Sequence, residues 1–175
     1  MFGINGRRVA AGSVAVAIGG LGAVAVQSPA RASDFSAAYT CTAPVLGTQN
    51  VTIDGSLTAT PNPAAAGTVV DFDLHISQVS LTAPVAINSW TITADLDVSG
   101  AETAQFQVSG SGGGVPANQP ISGDLAGTWT PTAAGTDEIR GGDVTVNANV
   151  VLLGNITIDC TPDEPRPVAE TLAVS

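Results

Sequence analysis

Trp90-Thr91-Ile92-Thr93-Ala94-Asp95-Leu96-Asp97-Val98 alternates apolar with polar side chains without a break. Side chains on a strand point to opposite faces with period two, so this run buries Trp90, Ile92, Ala94, Leu96 and Val98 and wets the residues between them. Upstream, Phe72, Leu74 and Ile76 alternate in the same way with Asp71, Asp73, His75 and Ser77. Weaker repeats are Val51-Thr52-Ile53, Gln105-Phe106-Gln107-Val108, Val144-Thr145-Val146 and Ile156-Thr157-Ile158. β-Branched residues dominate, and no convincing helical stripe follows residue 33. Asp54-Gly55, Pro61-Asn62-Pro63, Ser99-Gly100, Gly135 and Gly141-Gly142 punctuate the runs as turns. The longest break, Gly110 to Pro120, reads as a flexible surface loop, since splitting the chain there would leave two pieces too small to hold a core. The expected architecture is a single all-β domain over residues 33–162, an antiparallel immunoglobulin-like β-sandwich of about eight or nine strands.

Outside that span the composition changes. Arg7-Arg8 precede an Ala-, Val- and Gly-rich run from Val9 to Val26, and Ala30-Arg31-Ala32 is a small-x-small cleavage signal. Residues 1–32 therefore read as a signal peptide cut between Ala32 and Ser33, in preference to a retained anchor. Beyond Cys160, Pro162, Pro165 and Pro167 alternate with acids, and residues 163–175 read as a disordered Pro/acidic tail. In an exported chain the two cysteines, Cys41 and Cys160, are expected to pair rather than remain free thiols. Such a bond would close most of the domain into one loop and stabilise it by roughly 4–5 kcal/mol in the chain-entropy model.

Charge excludes some partners. Lysine is absent, and all 15 acidic residues follow Ser33. Removal of residues 1–32 leaves Arg140 and Arg166 against those 15 acids, a net charge of −13. Such a chain repels phosphate backbones and anionic lipid, so neither nucleic acid nor stable membrane insertion is expected of the mature protein.

The residues that carry chemistry are few. His75 is the single histidine. Asp73 and Ser77 flank it on the same strand face, which suggests either an Asp-oriented base near a serine or, more simply, an exposed strand histidine. Asp71/Asp73 and Asp95/Asp97 would converge as a calcium site only if their strands were neighbours, and a solvated face is the simpler reading. Asp137-Glu138 looks like a better-shaped acid pair because it falls in a presumed loop between Gly135 and Gly142. Trp90 reads as core, whereas Trp129, flanked by threonines, is a candidate sugar-stacking platform. Asn50-Val51-Thr52 and Asn155-Ile156-Thr157 match the glycosylation sequon. No catalytic, metal or cofactor constellation emerges from these residues.

Tyr39-Thr40-Cys41-Thr42-Ala43-Pro44-Val45-Leu46-Gly47, with Val51-Thr52-Ile53 and the segment Pro63 to Val70, resembles an uncharacterised family of secreted actinobacterial proteins. Members open on Tyr-x-Cys and close on a second cysteine. The resemblance spans about Phe35 to Pro162 and implies fold and location, not an activity. The leading expectation is a non-catalytic secreted or envelope-associated β-sandwich with a structural, adhesive or protein-binding role, its partner an extracellular or envelope protein. The alternatives are an extracellular carrier of an apolar small molecule, holding it between the sheets, and a secreted hydrolase using facing carboxylates.

Overall fold

The computed structural model describes residues 32–44 and 47–175. The strands are β1 (Ser33–Ala43), β2 (Gly47–Thr60), β3 (Val70–Val79), β4 (Ile87–Gly100), β5 (Ala104–Gly112), β6 (Gly123–Trp129), β7 (Gly135–Val150), β8 (Gly154–Pro162) and β9 (Val168–Val174). Alternation does the placing: in β4 the side chains of Trp90, Ile92, Ala94, Leu96 and Val98 are all buried, and in β3 so are Phe72, Leu74 and Ile76.

All nine strands form one antiparallel sheet in the order β4-β5-β6-β3-β2-β1-β8-β7-β9. β4 also pairs with β7 along its length, from Ile87↔Val150 to Gly100↔Asp137. The sheet therefore curls round and meets itself, with one shared core inside, an arrangement consistent with a β-sandwich. An immunoglobulin sandwich is built from two separate ladders. Here a single ladder runs through every strand. Closure also covers strand edges that would otherwise be open to pairing with another chain.

The expected disordered tail is a strand. β9 pairs with the first half of β7, from Gly135↔Val174 to Arg140↔Val168. β7 is longer than β8, whose pairing covers only Val144 to Val150, so half of that edge is left for β9. On the other side of β9, Ala64 N–H donates to the Ala173 carbonyl at 2.9 Å and Ser175 N–H to the Ala64 carbonyl at 2.9 Å. The Asn62 amide clamps the same strand, donating to the Thr171 carbonyl and accepting from Ala173 N–H. Ala169, Leu172 and Val174 enter the core, Leu172 with no exposure at all. The prolines that suggested disorder all precede the strand. The domain thus runs to Val174 rather than stopping at residue 162.

Cys41 and Cys160 are joined by a disulfide and stand opposite each other in the β1–β8 register. The bond fits an oxidising compartment. Except for Ala32, the signal-peptide expectation falls outside the described residues; β1 begins at Ser33.

Candidate functional site: an apolar cavity at one end

The turns gather at two ends. One end holds the β7–β8 turn, the β3–β4 connection and the β5–β6 connection. They enclose a half-open cavity of about 340 Å³. Leu81 to Val85 and Ile87 wall one side; Ala148, Val150, Leu153, Ile156 and Ile158 wall the other, with Ile121 and Gln49 completing it. Among the described residues Gln49 and Thr82 are its only polar linings, and no charged side chain faces it. The expected free loop from Gly110 to Pro120 begins inside β5, and the rest of it is tied to this rim: Ile87 and Val115 exchange backbone hydrogen bonds, and Asn118 N–H donates to the Ala83 carbonyl.

The β7–β8 turn carries Val151, Leu152 and Leu153 beside the cavity mouth, all exposed, Leu152 by 94%. Leu152 has φ 70°, in the left-handed region that normally selects Gly or Asn. An apolar residue in that conformation at a solvent-facing tip makes no contribution to the core.

Between the walls of the sandwich the interior is filled. Residues of β1, β2, β3, β4 and β7 leave a void of only about 40 Å³. Tyr39 fills the centre of β1, and burial pushes its phenol up to about 12. Gly141 leaves room for it, since a Cβ there would stand 2.3 Å from the Tyr39 hydroxyl. Trp90 lies against Gly112 and Gly123, where added Cβ atoms would come within 2.3 and 2.5 Å of its indole. The expectation that a carrier cavity would lie between the sheets is therefore corrected: the apolar space is at one end.

The polar residues singled out in the sequence are dispersed. His75 Nδ1 stands 2.6 Å from Asp124 Oδ1 on β6, not from Asp73, and both side chains are open to water, at 57% and 84% exposure. Ser77 donates to the Asp54 carbonyl instead of facing the imidazole. Ser56 lies opposite His75 on β2 and Asp124 opposite it on β6, a row that only strand register could reveal. It lies beside an open recess of about 280 Å³ that also takes in Asp73 and Ser109. β5 and β6 separate β3 from β4, so Asp71/Asp73 and Asp95/Asp97 do not converge. Asp95 and Asp97 instead accept the Gln107 and Gln105 amides across β5, and Asp97 also holds Arg166. Among the described residues no group of three or more His, Cys, Asp or Glu is placed to hold a metal ion.

Asp137-Glu138 is not in a loop but at the start of β7. Asp137 is fully buried; its Oδ1 accepts Glu102 N–H at 3.0 Å and so ties down the β4–β5 turn. Glu138 pairs with Arg140 outside. Glu102 in turn accepts the Thr132 amide and hydroxyl, which hold its carboxyl below the ordinary range. Trp129, expected as a sugar-stacking candidate, is half-buried and stacks its ring on Phe106, with centroids 5.8 Å apart and planes 6° from parallel. Phe106 in turn packs on Phe72.

The sequence matches no protein-family model, and no curated protein matches it either.

Proposed function

We infer that this is a non-catalytic, exported binding module that holds an uncharged, apolar small molecule in the cavity at its β7–β8 end. The cavity is the observation that carries the reading. Its volume of about 340 Å³ lies within the range of roughly 300–1,000 Å³ usual for small-molecule sites, and its walls are almost wholly apolar. A protein partner is favoured less, because closure through β4–β7 leaves β9 as the terminal strand among the described residues, and Ala64 and Asn62 already bond along its outer side. A hydrolase is favoured less, because most of the acids are spread over separate strands or hold turns, and the two that share a recess, Asp73 and Asp124, lie open to water beside His75. The strong negative charge argues against an anionic ligand such as a fatty acid. The exposed Val151–Leu153 tip would guide the ligand to the mouth.

Titration with the neutral fluorophore N-phenyl-1-naphthylamine tests this. Saturable fluorescence enhancement is expected with the native protein. Leu153→Gln, at a half-exposed wall position, should weaken binding several-fold while leaving the unfolding midpoint near wild type. No enhancement, or equal enhancement in the variant, would remove the cavity from consideration.

A further inference from the structure

Glu170 is an acid placed inside the fold. It sits on β9 opposite Ile139 of β7 and is only 6% exposed. Its Oε1 accepts Thr171 N–H at 2.8 Å, and the Ser33 hydroxyl lies against the same carboxyl. Oε2, however, is buried with no hydrogen-bond partner among the described residues. A buried carboxylate oxygen without a partner is expensive, and native structures rarely leave one so. β1 packs against β9, and Ser33 is the first residue of β1.

We propose that hydrolysis of the Ala32–Ser33 peptide bond supplies the missing partner: the new α-ammonium of Ser33 pairs with Glu170 and locks β9 onto β1. The proposal rests on the export reading. An endopeptidase selecting the small-x-small signal adds one water across the bond; Ala32 leaves as a carboxylate, and the Ser33 nitrogen takes up a proton at neutral pH. Before cleavage that nitrogen is an uncharged amide with one N–H. Afterwards it carries three donors and a positive charge, the complement that a buried carboxylate lacks. Burial already pushes the Glu170 carboxyl above the ordinary carboxylate range, as expected of an acid short of partners. The neighbouring titratable groups are Asp34 on β1 and Asp137, Glu138 and Arg140 on β7, while β2 brings none between Ser56 and Thr60. Processing would then be a folding step, making the exported protein more stable than its precursor.

The chain's lack of lysine makes the test clean, because the α-amine is the single primary amine of the processed protein. Exported wild type and E170Q, each expressed as the full chain, are compared before and after acetylation, after intact mass has fixed the N-terminus. A start at Ser33 is expected. Acetylation should lower the wild-type melting temperature by about 2–6 °C, in line with an effect near 1–2 kcal/mol for a domain of this size, and should leave E170Q unmoved. A different N-terminus would overturn the cleavage site and with it the proposal. A Ser33 start with equal acetylation shifts in both proteins would overturn the pair and leave export standing. Should E170Q fail to fold, the pH profile of wild-type acetylation decides. An α-amine titrating clearly above its usual value of about 7.7–8.0 supports the pair, and an ordinary value removes it.

Discussion

Tyr39 shows how much one buried side chain can report. It is the chain's single tyrosine, so phenolate absorbance in a pH titration belongs to it alone. Its folded pKa, raised to about 12 chiefly by burial, lies above the value near 10 expected once unfolded. The folded state therefore holds its proton more tightly. That contribution to stability is whole below about pH 10 and is lost as pH rises towards 12. Absorbance at the phenolate band should accordingly stay flat through pH 10 and rise only near 12, together with unfolding. A midpoint near 10 in folded protein would place Tyr39 in water. Asp137 marks the opposite case, a residue whose role the sequence concealed. Next to Glu138 and between glycines it looked like a loop acid, and only the β4–β7 register shows that it is buried to hold the Glu102 amide.

Among the elements, β9 departs furthest from its sequence. Its prolines and acids read as disorder because composition weighs the whole segment equally. The physically decisive residues are few: Ala169, Leu172 and Val174 face inward, and Asn62, more than a hundred positions away, grips the backbone. Leu172→Ala should cost about 2–5 kcal/mol in urea unfolding, the range for deleting a fully buried leucine side chain. In hydrogen exchange the amides of Val168–Val174 should be protected along with β7. Fast exchange there, or an effect below about 0.5 kcal/mol, would return this segment to a loose tail. β3 and β4 lie at the other extreme: each carried an uninterrupted period-two pattern, and each lies where that pattern placed it. Glycines explain part of what was missed between β5 and β6. Gly110 and Gly127 sit where a Cβ would come within 2.2 Å of the facing strand's backbone, a spacing that reads as a turn signal in one dimension.

At the scale of the whole molecule, charge and closure act together. Arg140 and Arg166, the arginines among the described residues, are both bound to acids on the surface, so little offsets the overall negative charge. The neutral naphthylamine probe should therefore bind more tightly than the anionic anilinonaphthalene sulfonate. The gap should narrow as salt is raised from 10 to 500 mM, because the screening length falls from about 30 Å to about 4 Å over that range. A preference for the anionic probe at low salt would mean that the mouth is not negative. The amino-acid sequence by itself determined the strand class, the inward faces of β3 and β4, the pairing of two cysteines and the sign of the surface, since each follows from local periodicity, count or composition. Only the tertiary structure decided that the sheet closes through β4–β7, that the last residues complete it, and that the apolar space lies at one end. Those outcomes depend on which distant strands become neighbours and in what register, and no local pattern along the chain encodes that.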